Sequence, residues 1–301
     1  MSSSTLKSRN SANAILAFSM VAPALLLFLL FVVIPVIQAG YYSAFSWNGM
    51  GPARNFRGLG NFAEMVGDPV FLTALWNTIQ VVVVSICIQL PLAFFLALLV
   101  GRRRTPGEVV FRGLYFFPYV LAEIVTGIIW KFIYHPQFGL PTAIATLING
   151  HGTEIGLLGD PNAAFGAVLI VIVWKYLGLH MILYIAGLQG IPGELEDAAV
   201  VDGATGRQVV WHVIIPSIRS SIIISAFLAI IGSFNIFDIV WALGQGGPVH
   251  STETLVTYLY NFGFKRFAFG YGSAVAVMIF VLCFVFNLLY QRFIVRGAEN
   301  A

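Results

Sequence analysis

The stretch LTALWNTIQVVVVSICIQLPLAFFLALLV, Leu72 to Val100, contains no charged residue. A helix rises about 1.5 Å per residue, and about 20 apolar residues cross the ~30 Å of hydrocarbon in a bilayer. This run is long enough to span a membrane with turns to spare. Two further runs share its character, Ile15 to Ile37 and Tyr271 to Gln291. Three more carry isolated charges: Gly113 to Ile133 with Glu123 and Lys131, Ala164 to Leu188 with Lys175, and Ser217 to Trp241 with Arg219 and Asp238. The composition agrees, with 58% hydrophobic and only 10% charged residues and a mean hydropathy of +0.87, which no soluble domain of this length would carry. Continuous runs, in place of short alternating segments, argue against a β-barrel. The expectation is an all-α membrane protein with six transmembrane helices, a single membrane domain over 15–295 and short tails at 1–14 and 296–301.

The cations give the orientation. An even number of spans puts both tails on one side, together with Lys7, Arg9, Arg102, Arg103, Arg104, Arg112, Arg207, Arg219, Arg292 and Arg296; the opposite loops hold Arg54, Arg57, Lys265 and Arg266. The positive-inside rule then predicts cytoplasmic termini in a bacterial inner membrane. The net charge of +3 reflects that asymmetry and implies no nucleic-acid partner. Cys87 and Cys283 lie inside apolar runs, so neither a disulfide nor a metal site is expected. The first apolar run exceeds the core of a cleaved secretory signal. The outer loops, Gln38 to Phe71, His135 to Ala163 and Leu243 to Gly270, are punctuated by Gly and Pro and predict ordered turns. Pro23, Pro35, Pro91 and Pro118 fall within or at the ends of spans, where they can kink a helix.

The loop between the fourth and fifth spans concentrates acid. ELEDAAVVDGATGRQVVWHVIIP, Glu194 to Pro216, holds Glu194, Glu196, Asp197 and Asp202. Pro192 suits the first turn of a helix, and the carboxylates that follow complement the positive pole of its dipole. Gly203 can end that helix, and a second, Thr205 to Ile215, then runs to Pro216. Leu195, Ala198, Ala199 and Asp202 fall on one face of the first helix, where small side chains would let another protein approach closely; an ordinary solvated loop helix has the same pattern.

DAAVVDGA followed at fixed distance by VIIP resembles the EAA loop of permease subunits in binding-protein-dependent ABC importers. Glu196, Asp197, Ala198, Ala199, Asp202, Gly203, Ala204 and Pro216 fall on that loop, about 190–216, with Asp197, Trp211 and Ile215 standing where the family has Glu, Phe and Leu. GLGNFAEMVGDPVFLTALWNT, VWKYLGLHMILYIAGLQGIPGEL and FDIVWALGQGGPVHSTETLVTYLYNFGF are similar to the MalF-like subunits of its carbohydrate branch. The resemblance implies a type I importer permease fold with cytoplasmic EAA coupling helices. It also implies a MalG-like second permease, two ATPase subunits docked on the EAA loops, and an extracytoplasmic sugar-binding protein. No cofactor is implied for this chain, since ATP and magnesium would sit on the ATPase subunits. The chain has no Walker A pattern and no Gly-Lys pair, which agrees.

Intramembrane charges mark functional sites. On straight helices Glu123 and Lys175 would lie about 18 and 20 Å above the inner ends of their spans, and Asp238 about 33 Å above Pro216. The first two are therefore candidates for a buried ion pair, and Lys175 is also a candidate for the solute path. By resemblance, that path runs along Ile172, Lys175, Tyr176 and Leu179 on the fourth span and Ala229, Gly232, Ser233 and Ile236 on the fifth, each set spaced i, i+3, i+4, i+7 along one helix face, with Asn235 beside them. The implied function is import of a neutral sugar or oligosaccharide. Two alternatives are glycerol phosphate import and an ion-coupled carrier that uses Glu123, Lys175 or Asp238 as a relay. An enzyme is disfavoured because His135, His151, His180, His212 and His250 are scattered.

Overall fold

The structure, a computed structural model, describes residues 18–101, 107–150 and 154–292. The tails 1–14 and 296–301 and Arg102, Arg103 and Arg104 lie outside the described residues. Four helices are long and apolar enough to cross a membrane: α1 (Phe18–Tyr42), α3 (Pro69–Gly101), α7 (Ala164–Gln189) and α13 (Phe269–Tyr290). Two bent pairs are together apolar enough to cross, which makes up to six passages if each pair is one span: α4 (Glu108–Val120) with α5 (Glu123–Ile133), and α9 (Gly206–Ser217) with α10 (Arg219–Phe234). Shorter helices are α2 (Gly60–Gly67), α6 (Leu140–Asn149), α8 (Gly193–Val201), α11 (Asp238–Gly244) and α12 (255–264).

Contacts divide the chain into two units. One holds the residues up to Met65 with Phe262–Met278; the other holds Val66–Asn261 and the residues from Ile279 onward. In the first, none of α1's most apolar window is buried. The following loop is ordered by Asn61, whose Nδ2 donates to the carbonyls of Ser43 (2.7 Å) and Phe45 (2.9 Å). Tyr42 and Trp47 stack beside it.

The second unit is built around α7. Asp68 caps α3 by accepting from the Val70 amide, ahead of Pro69 in the first turn, as Asp-Pro pairs do. The C-terminal half of α3 packs on α7 through Ala93 and Ala97, and α4 packs on α7 at Gly178. There a Cβ would overlap the Tyr115 carbonyl and stand 2.8 Å from Phe116 Cα, so only glycine admits this approach, as is common where membrane helices pack closely. Gly178→Ala should lower the thermal midpoint of the detergent-solubilised protein by an amount equivalent to about 1–3 kcal/mol. Gly166→Ala on the same helix, where a Cβ meets nothing within 4 Å, is the control and should be neutral. Equal tolerance of both would refute the contact.

Three helices contain a π turn that ends two residues before a proline: Leu29–Val33 before Pro35, Ser85–Gln89 before Pro91, and Val210–Ile214 before Pro216. A proline ring crowds the carbonyl four residues back and supplies no amide. The widened turn falls where that crowding occurs, which is a recognised way to accommodate a break in the hydrogen-bond ladder.

Two spans differ from the straight helices expected. The third breaks at Leu121 and Ala122, both extended (ψ 142° and 141°), and α4 and α5 meet at 100°. The fifth bends by 72° between Ser217 and Arg219 and stops at Phe234, so Trp241 lies on the separate α11 and not on one helix from Ser217. The straight-helix depths of Glu123 and Asp238 are corrected accordingly, because each residue follows a break.

Candidate functional site

Halfway along the helices of the second unit lies a cavity of about 160 Å³. Seven of the residues expected on the solute path line it: Ile172, Tyr176, Leu179, Ala229, Gly232, Ser233 and Ile236. The i, i+3, i+4, i+7 spacing turns one face of α7 and, through Ala229, Gly232 and Ser233, one face of α10 to the same space, while Ile236 enters from the segment that follows α10. Measured from Gln189 along α7, His180 is about 14 Å and Ile172 about 26 Å up the helix, near the middle of a bilayer's thickness. The remaining wall comes from Val81, Ser85 and Gln89 of α3, Tyr119 of α4, His180 of α7 and Leu228 of α10. The three on α3 are hidden in the sequence because that helix reads as an unbroken lipid-type run. The available signal was the pair Ser85 and Gln89, two polar residues four apart in that run.

Lys175 and Asn235 do not line the cavity. Asn235 is exposed, and its Nδ2 donates to the Ile231 carbonyl at 2.9 Å. Lys175 is 2% exposed, and its Nζ donates to the carbonyls of Pro118 and Tyr119, both at 3.0 Å, and of Leu121. It also stands 5.8 Å from the centre of the Tyr119 ring. The expected direct pair with Glu123 is therefore corrected: among the described residues the two make no contact of hydrogen-bond or ion-pair length. Glu123 Oε1 accepts from the Tyr176 hydroxyl at 2.5 Å. The physical reason is the break after α4. It strands the last carbonyls of that helix, which have no amides to meet, and the ammonium satisfies them. Deeper in the wall, His180 Nδ1 lies 2.6 Å from Ser225 Oγ, both buried.

The acidic loop forms two helices, as its punctuation predicts. Pro192 precedes α8, Asp202 follows its last turn, and Gly203 turns the chain with φ +84°. Thr205 and Gln208 form a capping box that starts α9. The expected small-residue face is divided. Ala199 and Ala204 pack toward the cluster of Met181, Tyr184, Leu188 and Ile214, while Asp197, Ala198 and Asp202 are exposed and Glu196 is half-buried. The outer surface is more apolar than that face suggested, because Leu195, Val200, Val201 (85% exposed) and Trp211 (60%) stand out from it.

Four helices of membrane-spanning length and two bent apolar pairs, with a largely apolar cavity inside the second unit, define a multi-pass membrane protein. Residues 89–296 match the model of the binding-protein-dependent transport system inner membrane component family. The chain belongs to that family and is a permease subunit of an ABC transporter, in which the ATPase is a separate subunit. It is 35% identical over 282 residues to the diacetylchitobiose uptake system permease protein NgcF of Streptomyces coelicolor, covering 88% of this chain and 78% of that one. It is 32% identical over 289 residues to the sn-glycerol-3-phosphate transport system permease protein UgpA of Brucella abortus, covering 94% and 95%. A bacterial ABC transporter involved in import of the acidic polysaccharide alginate shares the fold, with a TM-score of 0.83 at 20% identity over 96% of this chain and 98% of that one. Membership of the family sets aside the ion-coupled carrier.

Proposed function

We propose that this chain is the MalF-like half of a permease pair that imports a neutral sugar or oligosaccharide. An extracytoplasmic binding protein delivers the solute and two ATPase subunits drive its passage. Both termini face the cytoplasm, so the loop 190–216 meets the ATPase. The permease domain is 15–295, and ATP and magnesium are held by the partners. One observation carries the sugar assignment: Lys175, the cation expected in the solute path, is committed to three main-chain carbonyls. The cavity wall offers instead Tyr119, Tyr176, Ser85, Ser233, Gln89 and His180. Aromatic faces and uncharged hydrogen-bonding groups suit the CH faces and hydroxyls of a sugar, whereas a phosphate is held by arginine forks or several cationic donors. The cavity is smaller than the ~300–1,000 Å³ of a usual ligand site, which fits a half-site that the second permease completes.

The relationship to UgpA favours a second reading, glycerol phosphate import with cations supplied by the second permease. The test is ATPase stimulation of the complete transporter, reconstituted with its binding protein, by maltose, N,N′-diacetylchitobiose and sn-glycerol 3-phosphate side by side. A neutral sugar should stimulate most. Stimulation by the phosphate ester alone would overturn the sugar assignment.

A further inference from the structure

Gln89 sits at the end of the π turn Ser85–Gln89, about 18 Å along α3 from Gly101, and lines the cavity. Its side chain is 2% exposed, yet its Oε1 has no hydrogen-bond partner. Three of the polar groups in the same wall are already engaged. Ser233 Oγ donates to the Ala229 carbonyl at 2.7 Å, the Tyr176 hydroxyl donates to Glu123, and His180 Nδ1 meets Ser225. Much of the remaining wall is aliphatic, with Val81, Ile172, Leu228 and Ile236 offering no donor. A buried acceptor left unmet is costly, and native interiors rarely keep one without a reason. Nothing in the packing of α3 requires an amide here, because Leu90, Ala93 and Ala97 form its inner contact face.

We propose that Gln89 is a specificity-determining residue of the solute path, its amide oxygen accepting a hydrogen bond from a hydroxyl of the transported solute. The proposal rests on reading this cavity as that path. It assigns recognition to the second span as well as to the fourth and fifth, and it sets the chemistry at that position: a hydroxyl donor is accepted, and a solute carrying only an acceptor there is not. The amide is desolvated before the solute arrives, so little water must be displaced to form the bond, whereas a solute that lacks the hydroxyl leaves the acceptor buried and unmet. Such sites discriminate strongly against the analogue missing the group.

Gln89→Leu keeps the size and removes the acceptor. Two measurements test it. In detergent, the thermal midpoint of Gln89→Leu should equal or exceed that of wild type, because an unmet polar group gives way to an apolar one. In proteoliposomes holding the complete transporter, its turnover should fall about tenfold, the effect of ~1.4 kcal/mol, with whichever of maltose, N,N′-diacetylchitobiose and sn-glycerol 3-phosphate drives the wild type, since each carries hydroxyls. The loss of discrimination between that solute and its deoxy analogues should accompany it. A lowered midpoint would show Gln89 satisfied by a structural partner and overturn the proposal; wild-type turnover with unchanged discrimination would also overturn it. Exclusive response of the wild type to the phosphate ester would refute the sugar assignment alone, since Gln89→Leu can be scored on that solute too.

Discussion

Lys175→Met should be the most destabilising single substitution in the membrane domain, with a loss of about 3–5 kcal/mol measured by thermal unfolding in detergent. The reasoning begins with the break between α4 and α5. Helix ends leave carbonyls without amides, and those of Pro118, Tyr119 and Leu121 converge on one buried ammonium. A methionine fills much of the same volume but donates nothing, so three carbonyls lose their partner, each at about 1–3 kcal/mol if fully buried. Partial exposure of two of them and relaxation of the break bring the sum down to the range given for breaking a buried charged interaction. Glu123→Gln should cost less, since it weakens the bond from the Tyr176 hydroxyl and removes a charge that acts on Lys175 only through space, without contact. A Lys175→Met protein as stable as wild type would sink this account. So would recovery of stability in the Lys175→Met, Glu123→Gln double variant, which would mean that the two charges pair after all.

Asp197→Lys should leave the protein in the membrane while cutting ATP-driven uptake at least tenfold. On α8, Ala199 faces the chain's own interior and Leu195, Val200 and Val201 face outward beside the Asp197 and Asp202 carboxylates, with Trp211 exposed on α9. An exposed apolar centre with a charged rim has the anatomy of a docking surface, and reversing a rim charge opposes a complementary partner. Gly203→Ala separates this from mere distortion of the loop. At φ +84° with open space around it, an alanine costs only backbone strain, about 1–2 kcal/mol, and uptake should be reduced but not lost. Co-purification of the ATPase with each variant, followed by uptake in vesicles, makes the comparison. Normal ATPase stoichiometry and uptake with Asp197→Lys would remove α8 from the docking surface.

The apolar runs of membrane length are legible in the sequence because hydrocarbon imposes a length, and a run such as Leu72–Val100 has few other uses. The acidic loop is legible because Pro192, Gly203 and Pro216 mark where its helices start and stop. The family resemblance picks out the positions on α7 and α10, and their i, i+3, i+4, i+7 spacing explains why Ile172, Tyr176, Ala229 and Ser233 share a space once both segments are helical. The breaks are not legible. Leu121 and Ala122 are ordinary helix formers in an apolar run, and Phe237 gives no stop signal; what holds the first break open is Lys175, 54 residues away from Leu121, and a contact of that range has no local signature. An isolated lysine in an apolar span has several possible partners, and depth arithmetic on straight helices selects the carboxylate. The carbonyls it meets exist only once the helix has broken.

The π turn in α3 can be seen as one residue spliced into an otherwise regular helix. An α-helix advances 100° per residue, so a span without the splice would present the residues on its two sides with a different relative rotation. With Pro69–Val84 held in place, Ala93 and Ala97 would swing away from α7, and Gln89 would leave the cavity for the lipid. The helix before the turn and the helix after it can each be optimised for its own neighbours only because the extra residue lies between them. A gap or insertion near residues 85–91 in an alignment with a relative would therefore change which face of this span lines the cavity, even where every other residue is retained.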